Sequence, residues 1–246
     1  MRTVHCQDAL AWLHAQDPLP GCSLVTSLPD LSELSELDLE SWKAWFVQAA
    51  ELVISKTPDD GMAIFYQTDI KVQGIWIDKA FLVQKAAETL GVPLLWHKVV
   101  CRVKAGSVTH GRPAYGHLLA FSKGLRPSLV RSTPDVLPAT GRSNWPRGLG
   151  LEVCHFICRT LKRHTTSHTV VAPFCGQGLL LAVANLYNLQ AVGVELSPKR
   201  ARYALGLKLP LSPPKRSPTL PSALQGPLPQ GALPQGPLPT LDESLG

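Results

Sequence analysis

Val170-Val-Ala-Pro-Phe-Cys-Gly-Gln-Gly178 is an apolar run that breaks into two closely spaced glycines. It is followed by Ala191-Val-Gly-Val-Glu-Leu-Ser197, a second apolar run that ends in an acid. The pair reads as a buried strand, a glycine turn, a helix and a second buried strand. Glycine has no Cβ, so Gly176 and Gly178 let backbone approach a ligand closely. Glu195 stands 19 residues beyond Gly176. At that distance the acid ending the second strand of a βαβ unit meets a ribose diol. Leu181 occupies the place of the third glycine of a nicotinamide fingerprint, and no Gly-Lys-Ser/Thr follows. The nicotinamide site and the phosphate-cradling loop are both disfavoured. A strand–turn–helix with no ligand is the bland alternative.

The rest of the chain supplies strands and helices to complete an α/β sheet. At 246 residues it is long enough for one such domain with a substantial core. Strands are expected at Arg2–His5, Cys22–Ser27, Met62–Gln67, Leu94–Val103 and Tyr115–Ser122. Helices are expected at Ala9–Gln16, Glu40–Lys56, Asp78–Leu90 and Leu149–His164. The second of these is the strongest, with Trp42, Trp45, Phe46, Ala49, Leu52 and Val53 at i, i+3, i+4, i+7 spacing. Asp78 is a natural N-cap and Gly91 a natural C-cap. From residue 207 the chain alternates Pro, Leu, Gln and Gly, so 207–246 is expected to be a disordered tail after a domain of 1–206.

Charge is unevenly spread. The whole chain carries +6, but residues 98–147 hold nine Lys/Arg against Asp135 alone. Such a segment suits a face that meets a polyanion, with a solvated basic surface as the alternative. Lys104, Arg112, Arg126, Arg131, Arg142 and Arg147 are the candidate phosphate contacts. Trp96, Tyr115 and Trp145 lie nearby and can stack on a base, although core packing suits each as well. No run of 18 apolar residues exists, so no membrane partner is expected. The N-terminus shows no apolar signal segment, which points to a soluble intracellular protein. The six cysteines are scattered, mostly in apolar context, and read as reduced core thiols rather than a disulfide framework. The Cys154, Cys158, His164, His168 series is spaced too tightly for a zinc finger, and no metal is expected.

The turn Pro173-Phe-Cys-Gly-Gln-Gly178 resembles the S-adenosylmethionine (SAM) turn of methyltransferases, especially the DNA amino-methyltransferases. Element order narrows the resemblance. Thr26-Ser-Leu-Pro-Asp30, which looks like the family's catalytic turn, comes about 145 residues before the glycine turn. That order is similar to the circularly permuted enzymes that modify cytosine N4 or adenine N6. Val4-His-Cys-Gln-Asp8 looks like the family's opening strand and adenine-contacting acid, and Trp96-His-Lys98 like its Trp-x-Lys segment. Tyr115–Lys123 resembles the penultimate strand, and Trp145–Arg163 the helix leading into the SAM turn.

The resemblance implies a Rossmann-like, doubly wound, seven-stranded, mostly parallel SAM-methyltransferase sheet, circularly permuted. Asp8, Pro173, Phe174, Gly176, Gly178 and Glu195 would hold SAM, with Asp8 equally able to cap a helix. Ser27, Leu28, Pro29 and Asp30 would form the catalytic turn, Ser27 and the Leu28 carbonyl holding the hydrogens of a target amine. Two departures stand out: Ala172 replaces the family's acid before Pro-Phe, and Asp30 replaces the aromatic that stacks on the target base. The expected function is SAM-dependent methylation of a nucleic-acid base at an amino nitrogen. With no separate recognition domain, RNA is narrowly favoured, or a protein partner that brings the target. The alternatives are a DNA N4-cytosine/N6-adenine methyltransferase and a SAM-binding scaffold without activity.

Overall fold

A computed structural model of the chain describes residues 1–126, 133–144 and 148–209. Arg131, Trp145 and Arg147 fall outside the described residues, as does the expected tail from residue 210 onward. In chain order the elements are β1 (Arg2–His5), α1 (Ala9–His14), β2 (Cys22–Thr26), α2 (Leu39–Lys56), β3 (Ala63–Gln67), β4 (Ile70–Val72), β5 (Ile75–Ile77), α3 (Lys79–Thr89), β6 (Leu94–Cys101), β7 (Tyr115–Phe121), β8 (Val136–Leu137), α4 (Leu151–His164), β9 (Thr169–Pro173), α5 (Leu179–Leu186), β10 (Gln190–Val194) and α6 (Pro198–Gly206).

All seven predicted strands form and join one sheet, in the order β1-β10-β9-β2-β3-β7-β6-β8. β7 runs antiparallel to both of its neighbours, and the other pairings are parallel. Two features carry no periodic signal in the sequence. β8 adds two residues to the outer edge of β6, and β4 with β5 forms a separate hairpin. Both are too short for alternation to be read.

The apolar runs are explained by burial on both faces, as expected of parallel strands. In β3, Ala63 and Phe65 face a core made with α1, α2 and α3, while Ile64 and Tyr66 face a second core made with α4 and α5. β7 splits the same way, Leu119 and Phe121 against Leu118 and Ala120. Helices therefore cover both faces. The caps follow the sequence: Asp78 accepts from Phe81 N at 2.9 Å, and Gly91 takes φ +65°. Arg2 fastens the N-terminal strand to the far end of the chain, donating to the carbonyls of Ala204 at 2.7 Å and Leu207 at 2.8 Å.

From β9 the chain passes through α5 to β10 on one side; from β2 it passes through α2 to β3 on the other. The crossovers diverge between β9 and β2. That is the switch point, where a crevice opens at the carboxyl ends of the strands of a doubly wound sheet.

Candidate active site

A cavity of about 790 Å³ occupies that crevice. Its wall includes Asp8, Ser27, Leu28, Pro29, Asp30, Phe174, Gly176, Gly178, Glu195 and Arg112. Residues from both ends of the sequence thus converge on one space. Pro173 ends β9 beside it, and its carbonyl accepts the Thr26 hydroxyl at 2.6 Å, tying the two turns together.

The glycine turn is held on both sides. Cys175 N donates to Val194 O at 2.9 Å and Gly178 N to Cys175 O at 2.9 Å. Phe174, Gly176 and Gly178 all have left-handed φ, at +60°, +55° and +75°. The two glycines serve different ends. A Cβ on Gly176 meets nothing within 4 Å, so this residue leaves open space at the cavity. A Cβ on Gly178 falls 2.6 Å from Ala204 Cβ, so this residue lets α6 pack against the turn. Of the two glycines expected to admit a ligand, Gly176 borders open space, while Gly178 makes room for a helix. Gly178→Ala is therefore expected to lose about 1–2 kcal/mol through its backbone and about 1–3 kcal/mol more by overpacking. Gly176→Ala should lose the backbone contribution alone, which two thermal melts would separate. Equal losses would refute the division of labour.

Glu195 is 7% exposed and its carboxylate braces the turn. Oε2 accepts from Gly176 N at 3.1 Å and Oε1 from Ser197 N at 2.8 Å, with Arg200 Nη1 3.7 Å from Oε1. A carboxylate offers about four acceptor positions, so capacity remains for a ligand hydroxyl. Asp8 accepts from Ala11 N at 2.7 Å, capping α1 while lining the cavity. Both readings of Asp8 are thus compatible with its placement. Trp45 packs against the core and also reaches the cavity wall, its ring edge-on to Phe174 at 6.1 Å. Ala172 is buried among apolar side chains, so β9 presents no carboxylate where the resemblance calls for one. Burial, and next Glu195, push the Cys175 thiol up to about 12, which keeps it protonated at neutral pH.

The Ser27–Asp30 turn is anchored from below. Trp42 Nε1 donates to Pro29 O at 3.3 Å, and Asp30 N donates to Glu33 Oε2 at 3.0 Å. Leu28 is buried, and the Ser27 hydroxyl has no hydrogen-bond partner among the described residues. The Asp30 carboxylate pairs with Lys79, whose side chain is 2% exposed. Lys79 belongs to no motif of the sequence. Its signal was a cation directly after the Asp78 cap, where the helix dipole disfavours positive charge. Behind it, Asp69 accepts from Lys79 N at 2.9 Å and pairs with His117 at 3.0 Å; His117 meets His97 at 2.9 Å. Burial, then His117, pulls the His97 imidazole below its usual value, favouring its neutral form.

The basic segment divides. β6 ends at the carboxyl edge, so the loop carrying Lys104 and Arg112 rises beside the cavity. Arg112 lines it and Lys104 is exposed. Arg142 lies next to the start of α4, where its carbonyl accepts Leu151 N at 2.8 Å. Arg126 lies elsewhere. Antiparallel β7 ends opposite Ala63, the first residue of β3, and Gly124 N donates to Asp59 O at 3.1 Å. Arg126 thus sits at the amino edge, away from the cavity. Of the candidate phosphate contacts, Arg126 therefore does not lie beside the cavity, because β7 reverses the chain direction. Lys98 and Lys123 are also structural. Lys98 Nζ binds the Thr133 and Pro134 carbonyls at 3.2 and 3.0 Å, and Lys123 Nζ those of Ser55 and Thr57 at 2.9 and 2.8 Å. Trp96 packs edge-on to Phe156 at 5.9 Å and Tyr115 to His117 at 5.3 Å. Cys154 and Cys158 are core thiols, and burial pushes Cys158 up to about 12.

The sequence matches no protein-family model and no curated protein sequence. Solved structures of similar fold do exist. TTHA0409 of Thermus thermophilus, designated a DNA modification methylase and solved with SAM, superposes with a TM-score of 0.63 at 19% identity over 83% of this chain and 91% of its own. The cytosine-N4-specific PvuII DNA methyltransferase gives 0.65 at 18% identity, over 83% and 85%. The M1.HpyAVI–SAM complex gives 0.57 at 12%, over 83% and 98%. At these identities the likeness is one of fold, and this chain has the α/β sheet of those enzymes.

Proposed function

We propose that this chain is a SAM-dependent methyltransferase acting on an amino nitrogen of a nucleic-acid base, with DNA as the first candidate substrate. One observation carries the reading: Ser27–Asp30 and Phe174–Gly178 lie far apart in sequence yet line one cavity at the switch point, with Glu195 between strand and helix. The cavity suits SAM in kind. Gly176 leaves room for close approach, Glu195 offers acceptors to a ribose diol, and Trp45 and Phe174 give ring surface for adenine. The missing acid at Ala172 leaves other carboxylates on the wall, Asp8, Glu33, Glu36 and Asp69 among them, to meet a methionine ammonium.

When bound, SAM supplies a methyl group on a sulfonium. The chain's part is to aim an amine at it and to exclude water. The Ser27 hydroxyl and the Leu28 carbonyl can accept the two amine hydrogens and so direct the nitrogen lone pair. After transfer the nitrogen sheds a proton, and the Asp30 carboxylate is an acceptor on the same turn. Lys79 holds that carboxylate in place from beneath.

The narrow expectation of RNA follows from reading no separate recognition domain within these 246 residues. The neighbours described as DNA methyltransferases align over most of their own lengths, 91% for TTHA0409 and 85% for PvuII, so a chain of this compass is no argument against DNA. A tritiated-SAM assay against genomic DNA, total RNA and protein tests the reading. Label in DNA is expected. Label in RNA alone would restore the RNA reading, and absence of calorimetric SAM binding by the folded protein would sink both.

Lys104, Arg112 and Arg142 are the phosphate contacts that this reading retains. Their triple alanine variant is expected to lower the slope of log affinity against log salt by roughly three units, about one per contact. Arg126→Ala should leave the slope unchanged. A salt series on both variants checks this, and equal slopes in all three proteins would make the segment a solvated surface.

A further inference from the structure

The β4–β5 hairpin stands at the rim of the cavity. Asp69 and Ile70 lead from the end of β3 along the wall, and Lys71 and Val72 continue it. The hairpin closes through Gln73-Gly74, both at positive φ, +49° and +83°, which is the two-residue turn that matches strand twist. Its inner face is fixed: Ile70 and Val72 pack on the core and Ile77 is buried. Its outer face is different. Lys71 and Trp76 are directly paired across the two strands, so they share a face. The Lys71 ammonium lies 6.0 Å from the indole centroid, and Trp76 is 45% exposed. The hairpin thus presents a half-exposed indole with a cation lying over its ring, the cation also being on the cavity wall.

We propose that this face binds a nucleotide adjacent to the target, the Trp76 ring stacking on its base and Lys71 meeting its phosphate. The inference rests on the nucleic-acid reading above. The chemistry favours this occupant. A base that enters a recessed crevice must leave its stack, which exposes the faces of its neighbours. An indole takes any base on its π-face, and a neighbouring cation answers the phosphate charge. The family's stacking position is occupied here by Asp30, which has no ring to offer. The turn that aims the amine therefore cannot grip a base by its face, and an aromatic at the rim can.

The test measures binding of a fluorescein-labelled single-stranded DNA oligonucleotide, and of an RNA of the same sequence, by the full chain. Wild type, Trp76→Leu, Trp76→Phe and Lys71→Ala are compared across a salt series, with SAM calorimetry as control. Trp76→Leu keeps apolar bulk and is expected to weaken binding roughly 10- to 100-fold with no change in salt slope. Trp76→Phe should recover most of the loss, and Lys71→Ala should lower the slope by about one unit. SAM affinity should be unchanged in the two Trp76 variants. If wild type binds the oligonucleotide and Trp76→Leu binds it equally well, the stacking site is overturned and the nucleic-acid reading stands. If wild type binds neither strand at any salt concentration, both fall.

Discussion

Asp30→Ala is expected to destabilise the protein more than Lys79→Met does, and both are expected to slow methyl transfer. The asymmetry comes from exposure. The Lys79 side chain is 2% exposed and that of Asp30 21%. Removing Asp30 leaves a buried ammonium without its counter-charge, a change that in comparable cases costs about 3–5 kcal/mol. For a domain of this size that lowers the melting temperature by roughly 6–20 °C. Removing the ammonium instead leaves a carboxylate that can still reach water. The double variant Asp30→Ala/Lys79→Met should regain most of the lost stability, since neither charge remains. It should not regain turnover. If Asp30 positions the amine or takes its proton, every variant lacking it should be slower by about 10²-fold or more. Thermal melts and single-turnover rates on the four proteins check this. A double variant that recovers both stability and rate would show that the pair is structural alone.

Glu195→Ala should give the largest loss of SAM affinity. The side chain has two tasks in one carboxylate. It accepts from Gly176 N and Ser197 N, and it is the acid expected on the ribose. Loss of a hydrogen bond to a charged group weakens binding by about 1.5–3 kcal/mol. Alanine also leaves two half-buried backbone donors without their acceptor, which destabilises the turn by at most about 1–3 kcal/mol per group, the penalty for full burial. Glu195→Gln keeps one oxygen acceptor and should fall between alanine and wild type. Calorimetry and melting on the three proteins measure the two effects separately. Wild-type SAM affinity in the alanine variant would remove Glu195 from the proposed site.

Much of the architecture was legible because it follows burial. Strands covered on both faces read as apolar runs, and the helix over Leu39–Lys56 shows its stripe plainly. The glycine turn and Glu195 were legible because a strand, a tight turn and an acid at fixed spacing leave little else to build. The reach of Arg126 was not legible. It depends on the direction of β7, and antiparallel and parallel strands can carry the same residues. Lys79 was hidden because a lysine after a cap reads as solvated. Its burial depends on Asp30, which approaches from another part of the chain. The hairpin was hidden by its size, three residues to a strand, and with it Trp76. The first two misses concern residues whose placement is set by a partner distant in sequence; the third concerns an element too short to show a pattern.

β1 pairs with β10 from Arg2↔Ala191 to His5↔Val194, and Arg2 reaches on to the carbonyls near the end of α6. The first strand is therefore synthesised long before the strand it joins. During that interval the exposed partners of Thr3 and His5 are water, and the short segment has nothing to template it. Loop closure over such a span is entropically slow, so sheet completion at this edge should be among the last events in folding. A nascent chain halted before residue 190 would carry the Ser27–Asp30 turn and the hairpin but neither the glycine turn's brace nor a closed edge. On the proposed reading, competence to hold a cofactor would then arrive in one step with β10, and incomplete chains would have no means of sequestering it.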